Sequence, residues 1–295
     1  MEGAFNMKNI SIVTDSTCDL SPELIEEYHV SVIPLCIVMD DTSYYDREEI
    51  VPDQIYAWSN QHNTTPKTAA TTYEKALSIL KPLMDAENEI IFIGISEQMS
   101  TTCNVVRLIA SDHGYTKLHV IDSRNLSTGI GLQVIFAAEL AARGKTADEI
   151  VREVEQRRDH VKASFVVETL TYLARGGRCN SVTALVGNAL HLKPMIVVAQ
   201  GAMKVGKKYR GKQNAVLLKY VKEMESMLKE ADPSHIFITH SGCDKTVVKD
   251  IYNYLDNMNY FKRIHVTRAG GVISSHCGPG TLGVLFYTGE PQSHS

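Results

Sequence analysis

Apolar and polar positions in the first half of the chain switch between two periods. Short β-branched runs are followed by longer stretches with helical spacing. Ile10, Ile12 and Val13 define a strand over residues 8–14, which runs into the turn and cap residues Asp15, Ser16 and Thr17. Ser21 and Pro22 then open a short helix, the serine as its cap and the proline at the first helical position. Residues 30–39 form one apolar run rich in Val and Ile and predict a single buried strand. Helical spacing follows over 52–61 and 73–84. A strand over 89–95, a helix over 101–111, a strand over 117–121 and a helix with alternating apolar faces over 128–143 come next. A charged amphipathic helix over 146–160 closes this half. Strand then helix, repeated, predicts an α/β fold with a mainly parallel sheet covered by helices.

The rhythm changes near residue 160. A strand over 163–167 and a short helix over 170–173 lead to a sharp break at Gly176-Gly177-Arg178. Residues 195–199 and 202–207 predict a hairpin around Gln200-Gly201. One long helix over 213–229, a strand over 235–240, a helix over 245–258 and strands over 264–268 and 281–287 complete the pattern. This divides the chain into an α/β subdomain over 8–160 and a second over 161–289. No linker separates them, so both are expected to pack as one unit over 8–289.

Composition narrows the function. The net charge of -4 is a poor basis for tight nucleic-acid binding, which requires neutralising phosphates. No apolar run approaches the length of a membrane span, and the first residues lack the basic and apolar regions of a signal peptide. Met7 offers an alternative start. The six cysteines form no C-x-x-C pair and show no zinc spacing with histidine, which predicts reduced thiols, no metal site and a cytoplasmic location. Gly129-Ile130-Gly131 lacks the third glycine of a dinucleotide fingerprint, no P-loop occurs, and no cofactor is expected. A G-x-S-x-G elbow is absent as well, and no catalytic residue is assigned.

Three polar clusters sit at predicted strand-to-helix junctions: Asp15-Ser16-Thr17, Lys67-Thr68 and Ser100-Thr101-Thr102. In open α/β sheets such positions line the ligand crevice, and helix N-termini favour anions. Capping alone accounts for Asp15–Thr17; Thr68 and Ser100 fit a cap and a ligand contact equally well. The densest signal is residues 270–283. Within 270–281 four glycines and a proline demand unusual backbone angles or close approach, and His276 in their midst can donate a hydrogen bond to an anionic head. A tight connection before the last strand is the plainer alternative. The flanking glycine pairs favour a ligand site. Arg175-Gly176-Gly177-Arg178 and residues 207–212 are basic turns that suit an acidic partner.

Set in order, these segments resemble the DegV family of bacterial fatty-acid-binding proteins over nearly the whole chain. The matching pieces are VTDSTCDL from Val13, Pro66-Lys67-Thr68, Ile95-Ser96 with Met99-Ser100, and Val120-Ile121-Asp122-Ser123. LTYLARGGR from Leu170, Leu192-Lys193-Pro194, Arg210-Gly211-Lys212 and GVISSHCGPG from Gly271 follow. The resemblance implies two α/β subdomains with a long-chain, palmitate-like fatty acid in a tunnel between them. It implies a carboxylate held by Thr68 and Ser100 with His276 assisting, and no catalysis by the chain itself. It further implies a role as the binding subunit of a fatty acid kinase, with Arg178 and Arg210 suited to docking the kinase. Two loops depart from the pattern. Ala69-Ala70-Thr71-Thr72 stands where the family commonly has Ser-Gln-Pro-Ser, and Glu97 to Thr102 replaces a Ser-x-Leu-Ser-Gly-Thr sequence. The same hydroxyl and imidazole set also fits a hydrolase or phosphotransferase using Ser100 or His276 as nucleophile. A small-metabolite sensor is a third reading.

Overall fold

The chain begins by building a four-stranded parallel sheet of order β2-β1-β6-β7. Its strands are β1 (Ile10–Asp15), β2 (Ser31–Ile33), β6 (Glu89–Gly94) and β7 (Leu118–Asp122). The computed structural model describes residues 10–179 and 192–289. Lys8 and Asn9, where the first predicted strand begins, lie outside the described residues. Period-two alternation distributes the strand side chains to two cores. Val13, Ile90 and Phe92 face helices α3 (Tyr73–Asp85) and α4 (Thr102–Asp112). Ile12, Ile91 and Ile93 face α5 (Thr128–Ala142) and α6 (Ala147–Arg157). Cover on both faces is why β6 reads as an unbroken apolar run.

The run over 30–39 is two strands, not one. β2 joins the parallel sheet, whereas β3 (Cys36–Met39) belongs to a three-stranded antiparallel sheet of order β4-β3-β5. The break falls at Pro34, which has no N–H to give a ladder, and the Leu35 N–H is diverted to Ser16 Oγ at 3.2 Å. β4 (Thr42–Tyr45) and β5 (Lys67–Ala69) were not predicted. With four and three residues, neither is long enough to show a period. Thr68 is therefore the middle of a strand, paired with Ile37, and not a helix cap.

The second half forms a six-stranded mixed sheet of order β10-β9-β8-β13-β11-β12. Its members are β8 (Val161–Val166), β9 (Leu192–Ala199), β10 (Ala202–Arg210), β11 (Ala231–His240), β12 (Ile264–Arg268) and β13 (Leu282–Thr288). Only the β11–β12 pair is parallel. The β9–β10 hairpin turns at Gln200 and Gly201, both with positive φ, the geometry that matches strand twist in a two-residue turn. The helix predicted over 213–229 is two helices, α8 (Gln213–Glu223) and α9 (Glu225–Lys229). Met224, with ψ near zero and its side chain in the core, interrupts the ladder between them. These helices and α10 (Lys245–Asp256) cover one face of the sheet.

α5 lies between the parallel and the mixed sheet. Its sequence predicts alternating apolar faces, but eleven of its fifteen residues are buried, because it is covered on nearly every side. Its polar groups bond across to the mixed sheet: Thr128 Oγ1 lies 2.6 Å from Thr239 Oγ1, and Glu139 Oε1 lies 3.1 Å from His235 Nε2. A second tie runs from α2 (Pro52–His62), where the buried Tyr56 hydroxyl donates to the Ser241 carbonyl at 2.9 Å. Tyr56→Phe removes this bond and leaves the carbonyl buried. The expected loss is about 0.5–1.5 kcal/mol in urea unfolding. A variant as stable as the parent would show that the bond does not join the layers.

Candidate functional site

Residues 270–277 are not an irregular turn. After Gly270 the chain forms a short helix, α11 (Gly271–Cys277). Two buried aspartates receive the free N–H groups at its start. The Gly270 N–H donates to Asp19 Oδ1 and the Gly271 N–H to Asp46 Oδ1, both at 2.7 Å. The other carboxylate oxygens are also occupied. Ser127 Oγ donates to Asp19 at 2.5 Å, Ser16 Oγ donates to Asp46 at 2.9 Å, and the Arg47 guanidinium lies 3.9 Å from Asp19. Glycine is required at the contact: a Cβ on Gly271 would sit 2.6 Å from Ile37 and 2.9 Å from Asp46. Burial pushes Asp19 up to about 7 against the pull of Arg47, pushes the neighbouring Asp15 up to about 6, and moves Asp46 upward as well. Asp15 accepts from the Thr17 and Ile95 N–H groups at 3.0 and 2.8 Å, which makes it the cap of the turn after β1.

The far end of α11 carries His276. Its Nε2 lies 2.7 Å from Thr68 Oγ1 on β5. Its Nδ1 is out of contact with solvent and has no hydrogen-bond partner among the described residues. Gly176, the last residue of α7 (Thr171–Gly176), packs against that nitrogen, and a Cβ there would stand 2.2 Å from it. Burial, aided by the charge of Arg178, pulls the imidazole down to about 4, so it is neutral near pH 7. A neutral imidazole has one N–H. With it on Nδ1, Thr68 would donate to Nε2 and a buried N–H would be left without an acceptor; the Nε2 tautomer avoids this, so His276 donates to Thr68 Oγ1 and leaves the Thr68 proton free to point elsewhere.

Thr68 and His276 line a cavity of about 480 Å³, within the usual range for small-molecule sites. Ser100, on the loop after β6, and Arg178, after α7, line it too. The rest of the wall is largely apolar and comes from both sheets, including Leu35, Ile95, Met99, Phe165, Met203 and Leu285. Ser100 Oγ lies 2.9 Å from Thr102 Oγ1 and makes no bond to His276. Arg210, at the end of β10, is not among the lining residues. Two contacts seat the β9–β10 hairpin against the Ser100 loop: Ser96 Oγ donates to the Gly201 carbonyl and Gln98 Nε2 to the Gln200 carbonyl, each at 2.7 Å. Sequence reasoning singled out neither this latch nor Asp19, Asp46 and Gly176 as parts of the site. Asp19 lies in a quoted motif, but nothing in the spacing says that it meets residue 270. Among the described residues no cluster of His, Cys, Asp or Glu could hold a metal ion, and no helix is long and apolar enough to cross a membrane.

The chain is similar to known proteins over nearly its whole length. A family model described as an uncharacterised protein of the DegV family matches residues 9–289. A DegV domain-containing protein of Clostridium acetobutylicum is 31% identical over 287 residues, covering 95% of this chain and 99% of the relative. One from Clostridium perfringens is 33% identical over 286 residues, covering 96% and 100%. Among solved structures, a fatty-acid-binding DegV family protein from Thermus thermophilus is 28% identical with a TM-score of 0.86, covering 95% of this chain and 99% of that one. DegV of Bacillus subtilis, described as a fatty acid binding protein, is 26% identical with a TM-score of 0.81 at the same coverage.

The aspartate clamp has a pH signature. Asp19 titrates higher in the folded chain than an unfolded aspartate, so its contribution is full below the unfolded value and lost as pH rises through about 7. The melting temperature of the parent minus that of Asp19→Asn is expected to fall between about pH 5 and about pH 8. A difference that stays flat or grows over that window would contradict the assignment.

Proposed function

The chain belongs to the DegV family, and from that premise we propose that it holds a long-chain fatty acid in the 480 Å³ cavity with the carboxylate beside Thr68 and Ser100. The observation that carries this reading is the Thr68–His276 pair standing on the wall of a largely apolar cavity. In this reading neutral His276 donates to Thr68 Oγ1, and the Thr68 hydroxyl in turn donates a hydrogen bond to the carboxylate. His276 therefore positions the donor. Burying the acyl chain supplies the affinity. At about 0.8 kcal/mol per methylene, some fourteen methylenes give roughly 11 kcal/mol gross, reduced by the costs of association. The head needs only enough polar contact to offset its desolvation.

Such a cradle suits presentation and not catalysis. Among the described residues no cation bonds to Thr68, and Arg178 on the cavity wall is exposed and donates to the Gly176 carbonyl at 2.9 Å, so a carboxylate held by Thr68 keeps an oxygen available to another active site. We assign the chain the role of a cytoplasmic, non-catalytic carrier that offers this oxygen to a kinase forming an acyl phosphate. Arg178 at the cavity wall and Arg210 on β10 are the positions proposed for docking that kinase. A hydrolase or phosphotransferase built on Ser100 or His276 is less well supported. The serine bonds to Thr102 and not to the imidazole, and no carboxylate orients Nδ1.

Solvent extraction of purified protein followed by mass spectrometry should recover a long-chain acid. Protein that yields none and fails to take up palmitate or oleate would refute the reading. Thr68→Val should weaken acid binding about ten- to a hundredfold, the worth of one hydrogen bond to a charged group. Gly176→Ala, which puts a methyl against His276, should weaken binding and also cost some stability, because a Cβ there would stand 2.2 Å from the buried ring, so affinity is compared on protein shown to be folded. Equal affinities for parent and Gly176→Ala would remove His276 from the carboxylate's support. Because His276 is already neutral, binding should show no inflection from it between about pH 6 and about pH 8.

A further inference from the structure

A second, smaller space lies on the same face of the mixed sheet as the cavity. It is a crevice of about 150 Å³ between α5 and the ends of β11 and β13. Three elements pass from one space to the other, and each gives the same order. On β13, Gly283 and Leu285 line the cavity and Tyr287 lines the crevice. These alternate residues share a face, since Val284 and Phe286 belong to the opposite core. On β11, Thr239 lines the cavity and His235 the crevice, and both bond to α5; Phe237 stands between them, fully buried. At α5, Ser127 just before the first turn lines the cavity and Leu132 lines the crevice.

The separation is one side-chain layer thick. Two residues of strand from Leu285 to Tyr287 span about 7 Å. Five residues of helix from Ser127 to Leu132 rise about 7.5 Å. Phe237 and Leu285 are direct partners across the β11–β13 pair, so they form one row of the wall, and Leu132 on the helix belongs to the same buried core. The row also stands away from the carboxylate end. Thr281, just before β13, donates to the Cys277 carbonyl at 2.9 Å, beside His276, and the strand then runs from there toward Leu285.

We propose that the Phe237–Leu285 row is the stop against which the acyl tail ends, and that it sets the longest acid the chain accepts. This rests on the fatty-acid reading above. Thinning the row joins the crevice to the cavity. Leu132, Ile135 and Phe136 give the crevice an apolar strip for a longer tail, although the rest of its wall is mostly polar or charged, including Glu139, Arg157 and Asp232.

The test offers the protein an equimolar mixture of saturated acids from lauric through behenic, then extracts and weighs what is retained. Leu285→Ala should move the retained distribution to longer acids, with a severalfold rise in the longest. Leu285→Val, a milder trim, should move it the same way and serves if the alanine variant fails to fold. Leu132→Ala should act likewise from the helix side. Val284→Ala, which faces the other core, should leave the distribution unchanged. Folded Leu285 and Leu132 variants with the parent's distribution would overturn the stop while leaving acid binding intact. An equal shift in Val284→Ala would overturn it too, since it would point to general loosening. A parent chain that retains no acid would end both readings.

Discussion

The site depends on two aspartates that take the first N–H groups of α11. A buried carboxylate is costly unless its oxygens are filled. Here the donors come from separated parts of the chain: Ser16 after β1, Ser127 before α5, Arg47 after β4, and Gly270 and Gly271. Filling Asp19 and Asp46 therefore brings the parallel sheet, the small antiparallel sheet and the last helix to one place. The helix is rigid over its length. Six residues on from its anchored end, about 9 Å along the axis, it delivers His276 to Thr68. The position of the imidazole is thus fixed from a distance, by two aspartates that do not line the cavity.

A second consequence concerns charge. At Thr68 the polar wall of the cavity offers a hydroxyl and a neutral ring; the charged lining residues Glu97 and Arg178 come from other loops, and the aspartates that organise the site do not line it. This arrangement keeps the charge of the two aspartates out of the cavity. It also explains why the glycines cluster as they do. Gly271 allows the backbone to approach Asp46, and Gly176 leaves room for the ring of His276. Each removes a side chain where a polar group must pass close to a main chain.

Much of this fold was legible in the sequence, and the exceptions share a physical reason. The parallel strands carry β-branched runs, and their helices carry helical spacing, so the α/β class and the mainly parallel first sheet could be read directly. The three-stranded sheet could not, because β4 and β5 are too short to show a period and β3 merges with β2 into one apolar run. Pro34 was the available signal for the break. The helix α11 was hidden because its glycines speak against helix while two aspartates more than two hundred residues away in sequence stabilise its start. Thr68, Ser100 and His276 were named from motif order, and they do line one cavity; the bond between Thr68 and His276 joins residues 208 positions apart and has no local trace. Arg178 reaches the same cavity and Arg210 does not.

The latch on the β9–β10 hairpin grips main-chain carbonyls, not side chains. Its two partners are therefore under unequal constraint as the sequence drifts. On the hairpin, position 200 needs only a residue that tolerates positive φ, so its side chain is free to change. Position 201 also has positive φ, and a Cβ there would meet Ser96 Oγ at 2.8 Å, so glycine is held there by the partner loop. On the loop, Ser96 and Gln98 supply the donors themselves. Related chains that keep this closure should vary at the tip's first residue and hold the loop's pair, a reversal of the usual expectation that the two sides of a contact change together.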